Sequence, residues 1–160
     1  TKLASEQLGR SYCDGFGLPV VTLRFFSVYG PRQRPDMAYT RFIDRLLNDE
    51  PITLYGDGMQ VRGNTYVSDS VEALVLATQA HAGEVYNVGG GEMVSVWDIL
   101  RKLERISGRE AKVVREEARV GDQRHTFADT TKLKRHLGWE PRVGLDEGLK
   151  RQWLAQREGR

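Results

Sequence analysis

Four loops of this sequence are suited to holding an anionic ligand, because they bring together glycine and guanidinium or hydroxyl side chains. They span residues 27–34, 55–62, 89–91 and 119–122. Glycine lets a ligand approach the backbone closely, and arginine can hold a phosphate with two parallel hydrogen bonds. Arg62 and Arg119 each lie in a glycine-containing loop after a predicted strand, so the two guanidinium groups could converge on one diphosphate. Taken singly, either arginine is more typical of a solvated surface.

Other kinds of catalytic chemistry have little support in the sequence. There is no Gly-x-Gly-x-x-Gly or Walker-type loop that would cradle the pyrophosphate of a dinucleotide. The run 89–91 lacks the spacing and the lysine of a phosphate loop, so its three residues are interpreted as turn glycines. His81, His125, His136 and Cys13 do not have metal-ligand spacing, and no metal site is predicted. No nucleophile-elbow motif occurs either.

The composition is that of an ordinary globular domain. The chain has 160 residues, 39% hydrophobic and 29% charged, with a formal net charge of +2. Its basic residues are interleaved with acidic ones, which favours a solvated surface over a nucleic-acid partner. No apolar run approaches the ~20 residues that span a bilayer, so no membrane association is expected. A lone cysteine, Cys13, precludes an internal disulfide and favours a cytoplasmic location.

Helical and extended patterns alternate along the chain, which predicts an α/β fold. The predicted helices cover residues 2–14, 37–47, 68–80, the segment between Ser95 and Gly108, 130–137 and 145–157. The predicted strands cover residues 20–26, 52–55, 64–67, 85–88 and 111–115, with an extended piece at 126–128. The strands at 20–26 and 85–88 have the apolar character of strands buried on both faces of a parallel sheet. These strands are too few for a complete doubly wound sheet.

Two helices receive more detailed expectations. Ser95 is predicted to cap the helix that follows it. For the helix at 68–80, Ser68 or Asp69 is the expected cap. Its residues expected to face inward are Val71, Leu74, Val75 and Thr78.

Six ordered sequence blocks resemble the NAD-dependent nucleotide-sugar epimerases and dehydratases, a branch of the extended short-chain dehydrogenases. The first block, TKLASE at residues 1–6, is similar to the opening of their catalytic helix. The second, LRFFSVYGPRQRPDMA at residues 23–38, is similar to their R-F-x-x-V-Y-G-P-x-x-R-P-D-M-A block. The others are residues 52–58, Arg62 with YVSD at 66–69, YNVGGG at 86–91, and RVGD at 119–122 followed by LGWEP at 137–141.

The resemblance implies a fold and a cofactor. The chain would be the C-terminal, substrate-binding part of such an enzyme, with a partial Rossmann sheet, a small α/β lobe and the N-terminal cofactor half missing. In this family a Tyr-x-x-x-Lys pair performs acid–base chemistry beside NAD. Lys2 matches that lysine, and the tyrosine would precede Thr1 by three residues. Phe25 matches an aromatic residue near the nicotinamide. The alternative interpretations are a solvated Lys2 and a Phe25 that belongs to the core.

The resemblance also implies residues that bind the phosphate end of the substrate. Ser27 occupies a position where relatives have an Asn or Thr that bonds a phosphate. Met37 and Ala38 begin a helix whose free N–H groups favour an anion. Arg62 and Arg119 would clamp the diphosphate.

The remaining implied residues would bind the nucleoside. Thr53, Leu54 and Tyr55 resemble the strand whose backbone binds the base, which favours uracil. Asp122 would accept hydrogen bonds from the ribose hydroxyls, or would be a turn or capping residue. One departure concerns Gly63 and Asn64, where relatives have an Asp and an aromatic residue. The missing carboxylate is expected to loosen Arg62.

These expectations describe one unit at residues 1–160, in which 1–30 and 84–91 are remnants of the Rossmann sheet. Because those strands would lose sheet neighbours, a homo-oligomer or a partner carrying the cofactor half is expected to cover them. The predicted function is binding of a nucleotide-diphospho-sugar, with a UDP-sugar favoured, by part of an NAD-dependent epimerase or dehydratase. On its own the chain is expected to be inactive and to bind no NAD. The alternative is a non-catalytic binding or oligomerising fragment.

Overall fold

The elements of the chain alternate between helix and strand in a computed structural model that describes residues 1–118 and 120–159. The helices of these residues are α1 Lys2–Phe16, α2 Ala38–Asn48, α3 Val67–Ala77, α4 Val96–Ser107, α5 Thr131–Leu137 and α6 Leu145–Glu158. The strands are β1 Thr22–Phe25, β2 Ser27–Tyr29, β3 Ile52–Tyr55, β4 Val61–Tyr66, β5 Val85–Val88, β6 Met93–Ser95, β7 Val113–Glu116 and β8 His125–Thr126. The predicted α/β fold is confirmed, whereas the three-residue strands β2 and β6 were not predicted.

Strands β1 and β5 form a two-stranded parallel sheet in which Thr22 pairs with Val85 and Phe25 pairs with Val88. The expectation that residues 20–26 form a strand buried on both faces is wrong for this chain. The strand is shorter, and its second half, Arg24 and Phe25, is exposed. The cause is that β5 is the only strand paired with β1 in the described residues.

A second group of strands forms the sheet of the lobe. β4 pairs in parallel with β2 and β8 and antiparallel with β6, so three strands pair with it in a four-stranded sheet. Residues 27–29, which the predicted division assigns to the Rossmann remnant, therefore pair with β4 instead of with β5. β3 and β7 form a separate parallel pair with Ile52 opposite Val113.

The larger of two hydrophobic cores lies in the lobe, between its sheet and helices α2, α4 and α6. At its centre the Tyr29 ring makes edge-on contacts with Tyr39 and Tyr66, at centroid distances of 5.4 and 5.5 Å. Helix α6 reaches this cluster through Gly148, because a Cβ there would lie 2.2 Å from the Tyr29 hydroxyl. The smaller core packs α3 and α5 on β5, around the buried Trp139.

Helix α4 starts where the sequence predicts. The Ser95 hydroxyl accepts a hydrogen bond from the Asp98 N–H, and the Asp98 carboxylate accepts from the Ser95 N–H and hydroxyl. This capping box satisfies donors that a helix start leaves free. The hydroxyl and N–H of Ser95 hold the pKa of Asp98 below its ordinary value of 3.8.

Helix α3 differs from its prediction in both its start and its buried face. It begins at Val67 after Tyr66, with no side-chain cap from Ser68 or Asp69. Val71, Leu74, Val75 and Thr78 are exposed, while small residues, Ser70, Ala73 and Ala77, face the sheet. The helix is apolar on most of its circumference, so periodicity did not distinguish the buried face; small side chains allow the closest approach to the strands.

Helix α1 covers the β1–β5 sheet only lightly. None of its residues is buried, and its apolar side chains include Leu3, 67% exposed, and Phe16, 80% exposed. Its main tie to the sheet is a two-bond ion pair between Arg24 and Glu6. These exposed side chains leave the helix with an open apolar face. Across residues 1–118 and 120–159, no helix has the length and apolar character needed to cross a membrane.

Candidate functional site

A cavity of about 350 Å³ opens between α2, β3 and β4, within the size range of small-molecule sites. It collects most of the residues that the sequence singled out, from blocks far apart in the chain. Those lining it are Ser27, Met37, Ala38, Thr53, Leu54, Tyr55, Arg62 and Asp122. Lys2 and Phe25 do not line it; both are exposed at the surface. Arg119 lies outside the described residues.

The strand β3 forms one wall of the cavity. The N–H groups of Ile52 and Gly56 donate to carbonyl oxygens beside and within β7, at 2.7 and 2.9 Å. Because alternate residues of a parallel strand direct their backbone groups to opposite edges, Thr53 and Tyr55 turn theirs away from β7. The Tyr55 carbonyl accepts from the Gln60 amide at 2.9 Å. Thr53 thus presents a backbone donor and acceptor side by side at the edge away from β7.

The opposite wall is the first half of α2. Met37 is its N-cap, whereas the predicted helix starts at Met37 itself, and the Met37 side chain makes no capping hydrogen bond. Gln33 Oε1 accepts from the Thr40 N–H at 3.2 Å. The first N–H groups of the helix, at Ala38 and Tyr39, have no acceptor within the helix, because hydrogen bonding there starts one turn later. Burial raises the pKa of the Tyr39 hydroxyl well above its ordinary value, so it stays neutral.

A buried glutamine of α6 holds the loop that leads into α2. Gln152 is fully buried, its Oε1 accepts from the Gly30 N–H at 3.0 Å, and its Nε2 donates to Gln33 Oε1 at 3.1 Å. The same Nε2 donates to the Thr40 hydroxyl at 3.3 Å. Helix α6, distant in sequence, therefore fixes the position of one cavity wall.

Arg62 and Asp122 meet at the rim of the cavity. Arg62 donates from Nη2 to Asp122 Oδ1 at 2.7 Å, and from Nη1 to the carbonyl of Gln123. Asp122 Oδ2 also accepts from the Gln60 amide at 3.1 Å. The expectation that the missing carboxylate loosens Arg62 is wrong, because Asp122, 60 residues away, supplies that carboxylate. The side chains of both partners are partly exposed, 27% and 37%.

The strands behind the cavity are held at close range by glycine. Ser27 and Asn64 are partners in the β2–β4 register, and both line the cavity. A Cβ on Gly91 would lie 2.5 Å from the Asn64 carbonyl oxygen, and its φ of +87° is one that other residues rarely adopt. The triple glycine 89–91 is thus a loop, bent at Gly91, that packs against β4, and no regular turn is formed there.

A second loop contact closes the rim near the turn after β3. Asp57 accepts from the Met59 N–H at 3.0 Å and from Arg124 Nη1 at 3.0 Å. These groups, the backbone N–H first, lower the pKa of Asp57 below its ordinary value. The Trp97 indole donates to the Asp57 carbonyl at 2.9 Å.

Three glutamines of the site were not predicted: Gln33 and Gln60, which line the cavity, and Gln152 behind it. Gln33 and Gln60 fall inside the marked loops 27–34 and 55–62, so their positions were available from the sequence. The partners of Gln152 on the cavity wall, Gly30, Gln33 and Thr40, lie more than a hundred residues away, and no local pattern indicates them.

Comparison with known proteins identifies the family. A family model described as GDP-mannose 4,6 dehydratase matches residues 1–152. The uncharacterised UDP-glucose epimerase YtcB of Bacillus subtilis is 44% identical over 151 residues, which cover 93% of this chain and 48% of that protein. A UDP-glucuronate 4-epimerase of Thermodesulfobacterium geofontis is 38% identical, over 94% of this chain and 47% of its own length.

Solved structures agree. The UDP-glucuronic acid 4-epimerase of Bacillus cereus, in complex with UDP-glucuronic acid and NAD, superposes with a TM-score of 0.94 at 40% identity, covering 99% of this chain and 52% of that one. The UDP-glucose 4-epimerase of Thermotoga maritima, with UDP-glucose, gives 0.93 at 37% identity, covering 99% and 52%. The chain thus spans about half the length of these relatives. It belongs to the NAD-dependent nucleotide-sugar epimerases and dehydratases, a family of extended short-chain dehydrogenases.

Proposed function

We propose that the cavity between α2, β3 and β4 binds a nucleotide-diphospho-sugar, with a UDP-sugar favoured. The observation that carries this proposal is the convergence of Ser27, Met37, Thr53, Arg62 and Asp122 on one cavity, although they are scattered along the chain. Relatives at 37–40% identity contain UDP-sugars in their solved structures. A base, a ribose and a diphosphate each need different hydrogen-bonding groups, and different parts of the cavity wall offer such groups.

The β3 wall suits the base. Thr53 offers an N–H and a C=O on one edge of the strand, and a uracil ring carries an acceptor and a donor on adjacent atoms of its own edge. Leu54, which is buried, and Tyr55 continue the same wall. Backbone groups on a paired strand are held rigidly, so little ordering is needed when a base binds.

The α2 end and the rim suit the diphosphate and the ribose. The Ser27 hydroxyl and the first N–H groups of α2, which follow Met37, can donate to phosphate oxygens. Arg62 keeps N–H groups beyond those used by Asp122 and Gln123, since a guanidinium has five. Asp122 accepts from two side chains and retains lone pairs for a ribose hydroxyl. Arg119 remains the predicted second clamp, outside the described residues.

For the whole protein we propose NAD-dependent epimerisation or dehydration of the sugar, in which NAD supplies a hydride acceptor. The described residues fit only the nicotinamide end of that cofactor. Lys2, exposed at the start of α1, would lower the pKa of a tyrosine and bond a ribose, and exposed Phe25 would pack near the ring. That this chain alone binds no NAD stays a prediction.

The exposed apolar surface supports the predicted partner. Leu8 and Tyr12 of α1 and Leu74 of α3 are each about half exposed or more, next to a two-stranded sheet with open edges. A surface of this kind marks an interaction site. A homo-oligomer, or a partner that carries the cofactor half, would cover it. Sedimentation that finds a stable monomer in dilute solution would contradict this prediction. A cytoplasmic location also stays a prediction.

Calorimetric titration of the chain with UDP and UDP-glucose tests the binding proposal. Heat of binding is expected for both, and Arg62→Ala is expected to weaken it roughly 10- to 100-fold, the value of a hydrogen bond to a charged group. Arg135→Ala, an exposed residue of α5 outside the cavity, is the matched control. Arg62→Ala also leaves the Asp122 carboxylate without its ion-pair partner. If that unpaired carboxylate is the sole cause of the lost affinity, the double variant Arg62→Ala/Asp122→Ala should bind UDP better than Arg62→Ala does.

Three outcomes distinguish between these interpretations. A wild-type chain that gives no heat with either ligand would refute the cavity as a nucleotide-sugar site, and the oligomerising fragment without activity would be favoured. Binding without turnover when NAD is added supports a binding module within a larger enzyme. Turnover by the isolated chain would contradict the expectation that it is inactive.

A further inference from the structure

The charged side chains around the cavity are nearly all neutralised by a neighbour. Among the described residues that line it, each charged side chain but one has an ion-pair partner. The pairs are Asp36 with Arg34, Arg45 with Glu50, and Arg62 with Asp122. The exception is Arg41, whose side chain has no hydrogen-bond or ion-pair partner within residues 1–118 and 120–159.

Arg41 is well placed to reach a ligand. It lies one turn into α2, and its backbone N–H donates to the Met37 carbonyl at 3.0 Å. Ala38 and Arg45, three and four residues from it, line the same cavity, so this face of the helix is the cavity wall. The Arg41 residue is exposed, so its side chain is in contact with water and accessible to a ligand.

The charges around the cavity indicate that Arg41 is available to an anionic ligand. A nucleotide-diphospho-sugar carries two negative charges on its diphosphate. The three ion pairs around the cavity contribute no net charge, and the start of α2 contributes about half a positive charge. Arg41 is the one full positive charge in the described part of the cavity that no carboxylate offsets.

We propose that Arg41 is a phosphate-binding residue of this cavity, which pairs with the diphosphate of the nucleotide-sugar in addition to Arg62. The inference rests on the proposed function, because it concerns the same ligand. The two proposals can fail separately, because the cavity can bind a nucleotide-sugar without any contribution from Arg41. A guanidinium can also stack on a base, and the experiment separates the two roles.

The test uses two probes, UDP and inorganic pyrophosphate, which has phosphates and no base. UDP affinity is measured by calorimetry, and pyrophosphate affinity by its competition with UDP. Arg41→Ala is expected to weaken both ligands by the same factor, about tenfold, as for a partly exposed charged hydrogen bond. Arg41→Lys, which keeps the charge without the two-pronged geometry, should retain part of the affinity. Arg101→Ala, an exposed residue of α4 outside the cavity, is the control and should bind as the wild type does.

Salt provides a second readout that a structural role would not change. Raising the ionic strength should weaken UDP binding less steeply in Arg41→Ala than in the wild type, because one ion pair is missing. Loss of UDP affinity with unchanged pyrophosphate affinity would assign Arg41 to the base and overturn the proposal. Unchanged affinity for both ligands would overturn it as well. If the wild-type chain binds neither ligand, the proposed function itself is overturned. This result is obtained with the wild type alone, before any variant is compared.

Discussion

Replacing Gln152 by leucine removes the link between α6 and the cavity wall while keeping the size of the side chain. In the native chain, Oε1 accepts from the Gly30 N–H at 3.0 Å, and Nε2 donates to Gln33, to Thr40 and, within α6, to Gln156. The residue is fully buried, so water cannot replace these partners without opening the core. The loop and the start of α2 are the parts that lose support.

The size of the effect follows from which groups lose their partner. Gln33 Oε1 keeps the Thr40 N–H at 3.2 Å and the Thr40 hydroxyl at 3.1 Å, so neither residue is left unsatisfied. The Gly30 N–H has no such substitute, and an unsatisfied buried donor costs roughly 1–3 kcal/mol. We therefore expect Gln152→Leu to lower the free energy of unfolding by about 2 kcal/mol. Because Gln33 lines the cavity, UDP affinity should fall as well.

Urea denaturation followed by tryptophan fluorescence measures the stability, and amide hydrogen exchange at Gly30 locates the effect. Gln7→Leu, the same substitution at an exposed position of α1, is the control and should change the unfolding free energy little. A loss below about 0.5 kcal/mol, the usual size of a surface substitution, would refute the reasoning. So would a large loss with normal exchange protection at Gly30.

Three further variants test other contacts. Gly148→Ala gains about 1 kcal/mol of helix propensity but places a Cβ 2.2 Å from the Tyr29 hydroxyl. We expect the variant to be less stable than the wild type in urea denaturation, and to recover part of the loss when Tyr29→Phe is added. A single variant more stable than the wild type would contradict this contact. Asp98 has a folded pKa below its ordinary 3.8, so its contribution is present above that value and is lost as the pH falls through the lowered pKa. Asp98→Asn should lose about 1 kcal/mol at neutral pH and depend less on acid, as measured by urea midpoints across the acidic range; an unchanged acid dependence would argue against the capping box. Asp69 accepts from the N–H groups of Arg142 and Val143 at 3.1 Å each, so Asp69→Ala should cost about 2 kcal/mol or more, and thermal unfolding within a degree of wild type would exclude this role.

Prediction from the sequence succeeded where the signal is local. The strand 52–55, the strand 85–88 and the capped helix after Ser95 were each specified by residues within a few positions. Helix α3 was different, because Val71 and Leu74 are apolar whether or not a partner covers them. Hydrophobic periodicity reports which residues could be buried, and a chain whose apolar surface exceeds its own core leaves some of them exposed.

The candidate site shows the same division. Eight of the residues predicted by type and by resemblance line one cavity, whereas Lys2 and Phe25 do not, and the lining residues Gln33 and Gln60 were not predicted. How they contact one another was not predictable, since Arg62 and Asp122 are separated by 60 residues and Gln152 and Gly30 by 122. Such pairs depend on the final packing of strands and helices, and a single sequence carries no period that encodes them.

A single residue separates two sheets. Strand β1 ends at Phe25 and β2 starts at Ser27, while the Phe26 N–H still donates to the Val88 carbonyl at 2.9 Å. The tether between the β1–β5 sheet and the cavity-bearing lobe is therefore almost taut at this point, since one residue spans at most ~3.6 Å. A displacement of β1 would therefore move Ser27, which lines the cavity. Binding of a partner to the β1–β5 sheet would in this way change the position of a cavity residue.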